Sequence, residues 1–135
     1  VNVPLDAFLG AIKGALRGGF TVVVASDMSE PGYSVGPPGI AVVPTWDVPS
    51  AYIDDAARQF RFANGTTTDD HDLHVVGWTT HGGKEWFLVK DSWSSAWNND
   101  HPGYYFFHED YVKLKTLAFL VHRDAVKELL ARVKK

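Results

Sequence analysis

The sequence predicts an α+β fold: a mainly antiparallel curled sheet or barrel with flanking helices. Three observations carry this. Amphipathic helical patterns occupy both ends of the chain, a β-branched run stands between the first two helices, and from residue 72 onward the apolar period falls to two. The 135 residues suit one domain, 1–135, with apolar residues at 45% and enough length to bury a core.

The elements follow in chain order. In "LDAFLGAIKGALR", 5–17, Leu5, Phe8, Leu9, Ile12 and Leu16 recur at helical spacing, Pro4 suits the first turn and Gly18–Gly19 end the helix. "FTVVVA", 20–25, reads as a buried strand. Residues 26–50 hold five of the seven prolines and three glycines, which predicts a long irregular loop. A second helix is expected over 50–65, capped by Ser50, with Ile53, Ala56, Ala57 and Phe60 facing inward and Asn64–Gly65 closing it. "DLHVVGW", 72–78, and "EWFLVK", 85–90, read as paired strands around the turn "THGGK", 80–84. "GYYFF", 103–107, and "TLAFLVH", 116–122, add two strands, and "EDYVKL", 109–114, one helical turn between them. Residues 124–134 predict a closing helix with Asp124 at its cap and Val126, Leu129, Leu130 and Val133 inward.

Several function classes drop out early. The net charge is −3 and the only basic run is Lys134–Lys135, so no nucleic-acid partner is expected. No apolar run is long enough to span a bilayer, and residues 1–12 lack the pattern of a signal peptide, so no membrane partner is expected either. There is no cysteine, which excludes disulfides, thiolate metal sites and a cysteine nucleophile within these residues without fixing the compartment.

The densest chemistry lies in "TTTDDHDLHVVGW", 66–78. In an extended chain His71 and His74 point to opposite faces, which disfavours a shared metal. Asp69, Asp70 and His81 show no recognised ligand spacing. Polar residues leading into a strand remain the plain alternative. Loop serines 26, 29 and 34 read as turn formers rather than nucleophiles.

Downstream, "FLVKDSWSSAW", 87–97, changes the balance. "HDLHVVG" sets His71 six residues before Gly77, and "KDSWS" follows one hairpin later. Together these stretches resemble the papain-like cysteine peptidases. "RQF", "TTDDH", "GKEWFLVKDSW", "GYYF", "LKTLAFLVHRDAV" and the helix-opening "VPLD" resemble their bleomycin hydrolase/aminopeptidase C branch. The resemblance covers nearly the whole chain and is weakest over 26–50. It implies that His71 is the catalytic histidine, that Asp91 stands where the family has the orienting Asn, and that Trp93 is the Trp shielding that pair. Asp91 for Asn would favour the charged imidazolium. Ser94 stands where the family has Gly, so a different path for that loop is expected.

The resemblance matches only the family's carboxy-terminal sheet lobe. The nucleophilic Cys and the Gln of the oxyanion hole belong to the amino-terminal helical lobe, for which there is no room upstream of His71. Since the chain opens on Val1, the expectation is a piece of a longer peptidase, inactive alone, that hydrolyses peptides only when completed by the other lobe. The alternative is a non-catalytic peptide-binding or self-associating remnant. An exposed apolar face and a homo-oligomer are therefore expected, with no cofactor and no metal.

Overall fold

The computed structural model describes residues 1–34 and 36–133, so the basic pair Lys134–Lys135 and the last residue of the expected closing helix lie outside the described residues. Helix α1 (Leu5–Arg17) buries Leu5, Phe8, Leu9, Ile12 and Ala15 on one face, with Pro4 at its N-cap position. Six strands follow: β1 (Val22–Ser26), β2 (Ile40–Ala41), β3 (His71–His81), β4 (Lys84–Lys90), β5 (Tyr104–His108) and β6 (Thr116–Val121). Helices α2 (Asp55–Ala63), α3 (Glu109–Lys115) and α4 (Lys127–Val133) complete the fold.

The strands form one mixed sheet in the order β2–β5–β4–β3–β1–β6. Among the described residues only the β2–β5 pairing is parallel. The edge strands β2 and β6 do not pair with each other, so of the two expected forms the curled open sheet is realised and the barrel is not. Alternate residues Val22 and Val24, Leu73 and Val75, Phe87 and Val89, and Tyr105 and Phe107 face one side. There they pack under α1 and α3, whose Tyr111 and Val112 join the core. Each fully buried Val or Phe stabilises by about 1.5–3 kcal/mol. A bulge between Val75 and Gly77 shifts the β3–β4 register, so Trp78 rather than Gly77 continues the core face opposite Phe87.

The β3–β4 hairpin is tighter than expected. His81 pairs with Lys84, leaving Gly82 (φ 59°) and Gly83 (φ 73°) as the loop. Both angles are positive, as the two-residue turn matching the twist of the flanking strands requires.

Four expectations need correction. The 26–50 stretch is not wholly irregular, since it contains β2 and begins with the last residue of β1. Ser50 starts a separate 3-10 turn, and α2 is capped by Asp54, whose carboxylate accepts the Ala57 N–H at 2.8 Å. Phe60 does not face inward: it and Phe62 are exposed. Helix α2 is held by charged side chains instead. The Arg58 guanidinium lies 4.8 Å over the Phe8 ring and donates to the carbonyls of Lys113 and Thr116, while Arg61 reaches Asp47 at 2.6 Å. At the closing helix, Asp124 lies in a 3-10 turn over Arg123–Val126, where its N–H donates to His122 Nδ1. Val126, Leu129 and Leu130 are only half-buried, and Val133 is exposed.

Candidate functional site

His71, Asp91 and Trp93 come together at one end of the sheet. His71 opens β3 and pairs across the ladder with Ser26, the last residue of β1. The segment before it is tied to the chain just after β1. Asp70 Oδ1 accepts the Met28 N–H at 2.8 Å, and Asp27 Oδ2 accepts the Thr68 N–H at 2.7 Å. Asp27 Oδ1 also takes the N–H (2.9 Å) and hydroxyl (2.7 Å) of Ser29, while its carbonyl accepts the Tyr111 hydroxyl. His71 is thus aimed by a locally closed set of hydrogen bonds.

Burial pushes the Asp27 carboxyl up, but the Thr68 and Ser29 donors outweigh burial and hold it below the ordinary carboxylate value. A carboxyl depressed in the folded state contributes stability that is fully present above its unfolded value and is lost as pH falls through the folded one. Asp27→Ala is therefore expected to cost about 1.5–3 kcal/mol at neutral pH, the range for hydrogen bonds to a charged group. The difference should narrow in acid. Urea unfolding at neutral and acid pH checks this, and an equal loss at both would rule out the ionised carboxylate as its source.

Asp91 follows β4, and its N–H donates to the Gly103 carbonyl at 2.9 Å. Its side chain is fully buried and faces three donors. His71 Nε2 lies 2.7 Å from Oδ1, the Trp93 N–H donates to Oδ1 at 3.0 Å, and the Tyr33 hydroxyl donates to Oδ2 at 3.3 Å. A buried carboxylate needs such partners to offset its desolvation. With Asp91 ionised it can only accept, which sets the shared proton on Nε2 and leaves Nδ1 as the ring nitrogen that Asp91 does not engage. Burial, then Tyr105 and Asp91, keep the Tyr33 phenol well above its ordinary range, so Tyr33 stays a donor.

The indole of Trp93 stacks on the His71 ring, with centroids 4.2 Å apart and planes at 20°. It covers one face of the imidazole while remaining 43% exposed itself. Ser94 opens a 3-10 turn over Ser94–Asn98. No described residue other than glycine has a positive φ, so the serine side chain at 94 sits without backbone strain.

The other residues singled out in the sequence lie elsewhere. Leu73 and Val75 face the core, and His74 pairs with Lys90 on the opposite face of the sheet. His81 is at the hairpin end of β3. Asp69, Asp70, His71 and His81 form no common ligand set, and among the described residues no group of three or more His, Cys, Asp or Glu is placed to hold a metal ion. Ser26 is buried and shares a hydrogen bond with Thr116, and Ser29 donates to Asp27. The Ser34 N–H donates to the Ile40 carbonyl. Sequence reasoning missed Tyr33. It lies 58 residues from Asp91, inside the Pro/Gly-rich loop, and no local pattern marks it.

Comparison with known proteins bears on the family and the fold. Residues 35–119 match the family model described as papain family cysteine protease. No curated protein matches the chain. Among solved structures the chain is similar to PepW from Lactobacillus rhamnosis HN001 (DR20), determined as the selenomethionine derivative, with a TM-score of 0.66 and 18% identity. The match covers 98% of this chain and 31% of that one, so the chain spans about a third of its neighbour's length.

Proposed function

Because the chain belongs to the papain family of cysteine proteases, we propose that it carries the base half of a thiol-dependent peptide hydrolase, of the aminopeptidase kind that its resemblance to the bleomycin hydrolase/aminopeptidase C branch implies. The observation that carries this reading is the His71 Nε2–Asp91 Oδ1 pair at 2.7 Å, stacked under Trp93, with Nδ1 left over. His71 is the general base, Asp91 orients it and Trp93 shields the pair.

These groups suit one chemical cycle. Nδ1 takes the proton of a cysteine thiol, and the resulting thiolate attacks the peptide carbonyl. The imidazolium then protonates the leaving amine as the C–N bond breaks and an S-acyl intermediate forms. The same nitrogen activates water to release the acid and regenerate the thiol. No cysteine occurs among the 135 residues, so the nucleophile must come from outside them. This chain alone is expected not to hydrolyse peptides.

Two measurements test the reading. Purified chain, assayed with fluorogenic aminoacyl and peptidyl substrates, should show no turnover; turnover abolished by His71→Ala would overturn the claim that it is half a site. In ¹⁵N-labelled protein the His71 Nε2–H should give a slowly exchanging low-field proton signal. Asp91→Asn keeps an acceptor oxygen and should retain that signal, whereas Asp91→Ala should lose it. A signal indifferent to Asp91→Ala would remove Asp91 as the orienting residue.

A second reading, self-association without catalysis, is favoured by one observation. Trp46, Tyr52, Phe60 and Phe62 are all large, apolar and more than half exposed. Sedimentation as a concentration-independent monomer would dismiss it.

A further inference from the structure

Helices α1 and α3 cover one face of the sheet. On the other face, near the β3–β4 hairpin, lies an open cleft of about 440 Å³. Ile40 of β2, Trp86 of β4 and Phe106 of β5 supply apolar walls, and Thr79 and His81 of β3 with His101 complete the lining. His81 is ten residues along β3 from His71, roughly 32–34 Å at the rise of an extended strand. None of His71, Asp91 and Trp93 lines the cleft, and ligand binding in it does not rest on the proposed peptidase chemistry.

The size falls within the range of small-ligand pockets, and the residues define what would fit. The walls are aromatic and rigidly set. His101 meets Phe106 edge-on at 5.4 Å between centroids, and His108 meets Trp86 edge-on at 5.0 Å. A flat ring laid on Trp86 and Phe106 would gain offset or edge contacts. The polar groups of the lining are the imidazoles of His81 and His101 and the Thr79 hydroxyl, all of which can donate. Lys84, paired with His81 across the ladder, adds a positive charge beside them. The adjacent acid, Glu85, is turned to the other face, where it pairs with Lys13 and accepts from the Trp78 indole. Among the described residues no carboxylate lines the cleft. The Trp86 Nε1–H is also the one buried side-chain nitrogen among the described residues that meets no acceptor.

We propose that this cleft binds a small aryl carboxylate, its ring against Trp86 and Phe106 and its carboxylate accepting from His81 and His101. Apolar walls with a rim of donors and cations favour an apolar anion over the corresponding neutral or cationic compound.

The test uses the whole chain, ¹⁵N-labelled, with 3-phenylpropionate as probe and 3-phenylpropanol and 2-phenylethylamine as its neutral and cationic counterparts. Trp86→Phe identifies the Trp86 indole signal. The acid is expected to shift that signal and the His81 and His101 ring signals saturably, with a Kd of about 1 mM or tighter and about tenfold below that of the alcohol. His81→Gln combined with His101→Gln, both at exposed positions, should bring the acid down to the alcohol's affinity. The proposal is overturned if the acid binds no better than the alcohol or the amine, if the double variant keeps the preference, or if the shifts map away from Trp86.

Discussion

Replacing Lys115 by methionine is expected to destabilise the protein by about 3 kcal/mol at neutral pH, the lower end of the cost of breaking a buried ion pair. Lys115 ends α3 and is almost wholly buried, yet it carries an ammonium group. Its Nζ pairs with Glu30 and lies 3.6 Å from Asp47, which in turn holds Arg61 of α2 at 2.6 Å. The cluster ties the loop after β1 and the segment before α2 to the end of α3. Methionine would keep the volume of the stem and remove the charge. Glu30 would then be left partly buried with no cation, and the lower end of the range applies because Glu30 and Asp47 keep some access to water. Burial already raises the Glu30 carboxyl, against the lowering effect of Lys115. A carboxyl raised in the folded state loses stability as pH climbs from its unfolded value through its folded one. Removing Lys115 enlarges that loss, so the destabilisation should be greatest at neutral pH and shrink in acid, where Glu30 is neutral. Urea unfolding followed by tryptophan fluorescence measures it. Adding Glu30→Gln to Lys115→Met should recover a large part of the loss, since no unpaired charge remains. A loss under about 1 kcal/mol for Lys115→Met would mean that the cluster behaves as a surface ion pair.

That cluster also marks what a single sequence does and does not disclose. Helix α1 was legible because Leu5, Phe8, Leu9 and Ile12 obey one local period and Gly18–Gly19 break it. The core strands were legible because their alternation is local, and the hairpin because Gly82 and Gly83 both take the positive φ its turn demands. The site was legible for a different reason. His71, Asp91 and Trp93 sit at a spacing that resembled a known family, and the fold sets His71 Nε2 and Asp91 Oδ1 2.7 Å apart. What failed depends on long-range pairing. Strand β2 is two residues long and is set by β5 on one side and the Tyr33 bridge on the other, neither of them marked by a local pattern. Phe60 fits an inward stripe by period, but α2 is anchored through Arg58 and Arg61, so its apolar side faces out. Tyr33 and Lys115 act on partners 58 and 85 residues away, distances over which periodicity carries no information.

The sharpest consequence of that hidden pairing is at Gly32. Gly32→Ala is expected to cost about 2–4 kcal/mol and to loosen the His71 site from a distance. A Cβ at position 32 would lie 1.8 Å from the Val42 carbonyl oxygen and 2.9 Å from its carbon. No rotamer change relieves a clash with backbone, so the two chain segments must part. Their parting breaks the Val42 N–H bond to the Gly32 carbonyl (2.9 Å) and strains the Ser34 N–H bond to Ile40 (2.9 Å). Overpacking contributes about 1–3 kcal/mol and a lost backbone bond about 0.5–1.5 kcal/mol. The displaced segment includes Tyr33, which bridges Ala41 and donates to Asp91 Oδ2. Asp91 would then keep two of its three donors, and exchange of the His71 Nε2–H should quicken. Gly36→Ala is the control, because a Cβ there meets only the Ser34 hydroxyl oxygen at an ordinary 3.6 Å. It should leave both stability and the ring-proton signal near wild type. Should Gly32→Ala fail to fold, Tyr33→Phe isolates the link to the site. It removes only the hydroxyl, at about 1.5 kcal/mol, the lower end for a bond to a charged group because this one is long at 3.3 Å, and should still quicken that exchange. Equal stability of the two alanine variants would mean that the 32–42 contact yields freely. An unchanged His71 signal in Tyr33→Phe would mean that the loop, however tightly it packs, does not hold the histidine's partner in place.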